Sequence, residues 1–331
     1  QFQPGWRNQG YVGVEGLMLA RTANSLFWMF RYLERAENTA RLLDTGLRMA
    51  LTRDVVSAEE EWRSVILTAG QQPGYEAKNA SYTGMQAWNY VLRDKDNPSS
   101  VLAMLGNVRS NARQSRNVIT GEVWEAVNDS WLHISEMLER PVGEQRVGEV
   151  VAAVRRAGTL THGAVIGTML RDQSFHFARA GTFIERADSI ARILDMKYYL
   201  LLPSLSYVGS SLDTGQWDTV LRAVSGDRSY RWLNAGQIDA RGIVEFLVLD
   251  ERFPRSLSYC HTALRENLAA LARMRGSEGQ SNMLMRSADI SLSERTIDSI
   301  FDQGLHEFLR QFMASNAAIG AAISEDYRFL S

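Results

Sequence analysis

Two stretches of this chain place ionisable residues where chemistry could occur: ERAENTARLLD at 34–44 and ERADSIARILD at 185–195. On a helix, residues three and four apart share a face. Glu34, Glu37 and Arg41 would then form one polar line, and Glu185, Asp188 and Arg192 would repeat it. Arg35 and Arg186 directly follow the two glutamates, each on the flank of its line. Carboxylates so placed can act as general bases or receive an amine or a hydrated cation. Arginines can hold a carboxylate or phosphate by paired hydrogen bonds. The neighbours are Phe, Trp, Leu and Ala, so these charges should be at least half buried, and buried charges need partners.

Three readings are open at this point. The charges form an internal Glu–Arg network that locks core helices together, or the two copies meet and present carboxylates and arginines to a ligand. In the third, carboxylates of facing helices build a metal centre. A centre of that kind also uses a histidine three residues after a glutamate, and here Glu37 and Asp188 hold those positions. No metal or other cofactor is therefore expected.

The remaining chemical inventory is thin. VRSNARQSR at 108–116 puts Arg109, Arg113 and Arg116 on one helix face, either a solvated face or an anion-binding stripe. The five histidines, His133, His162, His176, His261 and His306, have no metal-ligand spacing. Cys260, the single cysteine, reads as a small buried hydrophobe and excludes an intrachain disulfide. No phosphate loop, dinucleotide fingerprint or nucleophile elbow occurs.

The elements that must position these residues are written twice. At an offset of 151 the two quoted stretches share seven of eleven residues, and Met18-Leu19 meets Met169-Leu170. At 155 Trp62 meets Trp217, and at 156 Asp94, Pro98, Ser100, Arg109 and Asn111 meet Asp250, Pro254, Ser256, Arg265 and Asn267. Of the first arginine stripe the second copy keeps only Arg265, with Arg273 and Arg275 displaced. The expected architecture is all-α: two similar helical-bundle halves, 18–168 and 169–331, from an internal tandem duplication and related by a pseudo-twofold axis. Residues 1–17, rich in glycine and without periodicity, read as an extension or an expression remnant.

Helical spacing supports this. Leu26, Phe30, Leu33, Ala36, Ala40, Leu43 and Leu47 recur every three or four residues, as do Leu257, Cys260, Leu264, Leu268 and Leu271. Only six prolines interrupt 331 residues, and ordinary helix lengths give roughly ten to fourteen helices. FLVL at 246–249 is β-like but lies within a longer helical pattern. Asn97-Pro98-Ser99-Ser100 reads as a helix start with the proline in the first turn. Loops are expected at 70–84, 139–148, 203–216 and 276–282, and KYYLLLPSL at 197–205 reads as a helix end broken by Pro203.

Bulk composition narrows the class further. Hydrophobic residues make up 45% and charged residues 22%, a globular mix. The net charge of −2 speaks against nucleic acid, and no apolar run reaches the roughly 20 residues of a membrane span. With no signal segment and one cysteine, a cytoplasmic location is expected.

MLARTANSLFWMFRYLERAENTARLLD (18–44) and HFARAGTFIERADSIARILDMKYYLL (176–201) resemble the two signatures of the bacterial alpha-E domain family. DNPSSVLAML (96–105), VRSNARQSR, ITGEVWEAVN (119–128) and HEFLRQFMASNAAIGAAISEDYRFL (306–330) resemble its middle and end, so the likeness covers about 18–330. Departures are mild: Ser110 stands where an acid is expected before Asn111, and Gln114–Arg116 replaces a more apolar pattern. The resemblance implies an all-helical protein encoded beside or fused to a circularly permuted ATP-grasp protein, near transglutaminase-like peptidases. It implies an accessory, non-catalytic role in a peptide (amide-bond) ligase system. The candidate binding residues are Glu34, Arg35, Glu37, Arg41, Arg109, Arg113, Arg179, Glu185, Arg186, Asp188, Arg192 and Arg265. The alternatives are an enzyme on a peptide or amino-acid substrate, with Glu34 or Glu185 as base and Arg41 or Arg192 holding an anion, and a homo-oligomeric scaffold.

Overall fold

The computed structural model describes residues 18–50, 55–200 and 211–329, which form fifteen helices and no strand. The chain runs α1 (Ala20–Ala50), α2 (Val55–Thr68), α3 (Gln72–Glu76), α4 (Gly84–Arg93), α5 (Val101–Gln114), α6 (Gly121–Met137) and α7 (Glu144–Thr168). It continues with α8 (Gln173–Leu200), α9 (Ser211–Ala223), α10 (Asp227–Leu233), α11 (Ala240–Val248) and α12 (Leu257–Arg275). The last three are α13 (Gln280–Ser293), α14 (Ile297–Gln303) and α15 (Leu305–Asp326).

Fifteen exceeds the expected range by one. α3, α10 and α14 have five, seven and seven residues, too few for a helical period to register in sequence. Other expected loops are shorter than read: α7 starts inside 139–148, α9 inside 203–216 and α13 inside 276–282. The readings on residues 1–17 and on the chain break at Pro203 lie outside the described residues. The β-like FLVL lies in α11 apart from Leu249, because Ile243, Val244, Phe246, Leu247 and Val248 all find core contacts there. Asp239 starts that helix by accepting a hydrogen bond from the Gly242 amide at 2.7 Å.

At α5 and α12 the helix start is set by a hydroxyl rather than by proline. Ser100 caps α5 by accepting from the Ala103 amide (3.3 Å), and Ser256 caps α12 by accepting from the Tyr259 amide (3.0 Å). Pro98 and Pro254 each stand two residues before the cap, outside the first turn where Pro98 was expected. The hydroxyl takes the cap because it can satisfy an orphan amide, which proline cannot do.

α1 and α8 form the most extensive helix pairing, with α5 and α7 against α1, and α12 and α15 against α8. Both central helices are buried nearly all round. Phe27, Phe30, Leu33, Ala36 and Leu43 of α1 and Phe177, Phe183, Ala187 and Leu194 of α8 are 2% exposed or less. Each large side chain so buried contributes about 1.5–3 kcal/mol. Gly181 allows the close approach: a Cβ there would land on the Phe27 carbonyl oxygen. A helix buried on every side carries its charged residues inward with its apolar ones, so both Glu-Arg dipeptides reach the centre of the fold. Among the described residues no helix is long and apolar enough to cross a membrane.

Candidate functional site

The two motifs pair with each other across the α1–α8 contact. Arg186 donates from Nε to Glu34 Oε1 and from Nη2 to Oε2, both at 2.8 Å. Arg35 does the same to Glu185, Nε to Oε1 at 2.5 Å and Nη2 to Oε2 at 3.0 Å. Each arginine therefore serves the glutamate of the other stretch in the bidentate geometry that guanidinium favours. Part of each expected line within a helix also forms. Arg41 Nη2 donates to Glu37 Oε1 at 2.5 Å, and Arg192 Nε donates to Asp188 Oδ2 at 2.6 Å. Glu34 is not part of its own line; it is paired across.

A third arginine completes each crossing, and here the two differ. Arg255, just before the cap of α12, donates to Glu34 Oε1 at 2.8 Å, to Glu37 Oε1 at 2.7 Å and to Asn38 Oδ1 at 3.1 Å. Glu34 is left with 0% exposure. At the other crossing the third arginine is Arg31 of α1, 2.8 Å from Glu185 Oε2. Just before the cap of α5 stands Ser99, too short to fill the equivalent space. A cavity of about 290 Å³ lies there, lined by Arg35, Glu185, Asp188, Arg192, Thr68 and Ser99.

Electrostatics keeps both glutamates ionised. Burial alone would raise the Glu34 carboxyl, but Arg186 and Arg255 hold it well below its usual range. Glu185 is likewise opposed by burial and brought down by Arg31 and Arg35. Each carboxylate accepts three guanidinium hydrogen bonds across its two oxygens, which lowers its strength as a base.

Tertiary packing also brings in a histidine that sequence spacing excluded. His162 of α7 sits with Nε2 3.4 Å from Glu34 Oε2. One donor atom each from Glu34, Glu37 and His162 falls within 4.8 Å of the others. That donor set suits a dication by type, but not by surroundings. Three guanidinium groups, of Arg41, Arg186 and Arg255, hydrogen-bond to the same two carboxylates, so a cation would meet positive charge and occupied lone pairs.

The other expected residues are scattered. Arg109 donates to Asn128 at 3.0 Å on α6, Arg113 is exposed, and Arg116 lies over the Trp124 ring at 5.6 Å. Arg265 pairs with Asp289 at 3.1 Å. Arg179 lies beside Phe183 in a groove between α8 and α12. Cys260 is buried and its thiol is pushed up to about 12 by burial, which leaves no thiolate for chemistry. Arg31, His162 and Arg255 escaped the sequence reading. Arg31 had a signal, standing one turn ahead of Arg35. Arg255 had one too, beside the repeated Pro-x-Ser; His162 had none, since its helix meets α1 only in the fold.

Residues 18–328 match a family described as a predicted alpha-helical domain with a conserved ER motif. An uncharacterized protein of Mycobacterium bovis and one of Mycobacterium tuberculosis are each 26% identical over 331 aligned positions, covering 90% of this chain. The same alignments cover 36% of each relative, so the chain spans about a third of the length of these curated relatives. No solved structure matches it. With almost every residue matched, and with Glu34-Arg35 and Glu185-Arg186 crossing at the centre of an all-helical fold, this chain belongs to the Alpha-E family.

Proposed function

We propose that this chain is a binding component of an amide-bond ligase system, non-catalytic by itself, that associates with a circularly permuted ATP-grasp protein. One observation carries the reading: both oxygens of the fully buried Glu34 are taken by Arg186 and Arg255. The motif that marks the family thus joins helices rather than attacking a substrate. The reciprocal crossing, the serine caps of α5 and α12, and the placing of α5 on α1 and α12 on α8 favour two duplicated halves about a pseudo-twofold axis. The cavity beside Glu185 is then the place where one half differs and a partner segment or substrate enters. The additional length of the mycobacterial relatives favours a module that serves other domains.

The test is to mix the purified chain with the ATP-grasp protein of the same organism, and to follow association by light scattering and ligation by phosphate release. A complex with an altered ligation rate is expected, and Ser99→Arg, which fills the cavity, should weaken it. Failure to associate, with ligation unchanged, would end the proposal. Turnover by the chain alone that disappears in a folded Glu185→Gln variant would replace it with the enzyme reading.

A further inference from the structure

Away from the crossing, α8 and α12 enclose a groove of about 650 Å³ whose lining includes Phe175, His176, Arg179, Phe183, Tyr259 and Arg273. Arg179 is its unusual member. Arg31, Arg35, Arg41, Arg186 and Arg255 each contact a carboxylate, whereas Arg179 contacts none among the described residues. Its guanidinium instead lies 4.4 Å from the centroid of the Phe183 ring. Burial pushes its pKa down and the charge of Arg186 adds to that, against weaker opposing pulls from Tyr259 and Glu34, with neither of which it makes a hydrogen bond.

The neighbouring network already joins three arginines to two carboxylates, and Arg179 adds a further positive charge. Arg273 is exposed on the groove and has no acidic partner among the described residues, while Arg265 is tied to Asp289 and Glu266 is the acidic group on the wall. A half-buried guanidinium with no carboxylate in contact is costly, and one held over a ring keeps its N–H edges free for an oxyanion. The wall is ordered as well. Asn267 donates to the Ala263 carbonyl at 2.7 Å and turns its Oδ1 to His176 Nδ1 at 2.8 Å. Tyr259 is the partly exposed aromatic side chain next to the charge, with Phe175 and Phe183 buried at the floor of the groove.

We propose that this groove binds an oxyanion, carboxylate or phosphate, carried on an apolar body of aromatic size. The anion sits on Arg179 and the body lies against Tyr259, above the floor that Phe175 and Phe183 make. The site is separate from the crossing and does not depend on the ligase reading.

Titrating the full chain with N-acetylphenylalanine, phenyl phosphate and uncharged N-acetylphenylalaninamide tests this. At least one anion should bind tenfold or more tightly than the amide, and which one does identifies the source as a carboxylate or a phosphate. Arg179→Gln should lose that tenfold preference while its unfolding midpoint stays at or above the parent's, because no ion pair is removed. Arg179→Lys should keep part of the preference, and Arg273→Gln, on the exposed side, should cost about threefold. Equal binding of all three probes, no saturable binding of either anion, or an unchanged preference in Arg179→Gln would overturn the proposal.

Discussion

Glu34 and Glu185 each take a bidentate arginine from the opposite central helix, yet their surroundings differ. Beside Glu34 the residue before the helix cap is Arg255, which bonds both Glu34 and Glu37 and closes the space. Beside Glu185 the residue before the cap is Ser99, and a cavity of about 290 Å³ remains. The arginines show the same contrast: Arg186 and Arg255 have side-chain exposures of 11% and 12%, Arg31 and Arg35 of 20% and 36%. The same ion-pair pattern therefore has two settings, one sealed and one beside an open cavity. Two positions outside the motif differ between them: Arg255 against Ser99 before the cap, and Arg31, which supplies the third arginine only to Glu185.

The largest effect should come from Glu34→Gln, which leaves Arg186 and Arg255 charged in a dry site. Losing one partner of a buried pair costs about 3–5 kcal/mol, readable as a drop in the urea midpoint at unchanged m-value. A loss no larger than that of Glu185→Gln would break the comparison.

Acid separates the crossing from the rest of the core. His261 is stacked on Phe312, and its pKa is lowered to about 4 by burial. Its folded value lies below its unfolded one, so stability present above pH 6.5 is lost as pH falls towards 4, by about 3 kcal/mol. Both glutamates are also lowered, so their share is intact above their usual value and disappears only at lower pH. Unfolding measured from pH 7 to 2 should show two arms, the upper absent in His261→Met. Glu34→Gln should flatten the lower arm more than Glu185→Gln does.

Glu185→Gln should cost about 1.5–3 kcal/mol, the range for a hydrogen bond to a charged group, because Arg31 and Arg35 can turn to water. The smallest change is expected for Ser99→Arg, under about 1 kcal/mol at a partly open site. Its signature is loss of ligand or partner binding at the cavity, and a crystal structure should show the new guanidinium near Asp188. If the variant binds like the parent, the cavity has no part in recognition.

Much of the fold was legible because it rests on local rules. The apolar spacing of Leu26 to Leu47 and of Leu257 to Leu271 marked α1 and α12, and the repeated Pro-x-Ser marked the starts of α5 and α12. Helices of five to seven residues were not legible, since a period needs several turns to register. At the site, Glu37–Arg41 and Asp188–Arg192 followed from spacing alone. The pairing of Glu34 with Arg186 did not, because the reach of a guanidinium from one helix to another depends on how closely Gly181 lets the helices approach.

The sequence by itself determined an all-helical chain with two charged motifs, too apolar in their surroundings to stay in water. Only the tertiary structure decided that each motif neutralises the other, that His162 and Arg255 join one crossing, and that a cavity lies beside the second. The physical reason is range. Helical period and capping act over a few residues, whereas a buried charge is satisfied by whatever partner the packed fold brings within about 3 Å.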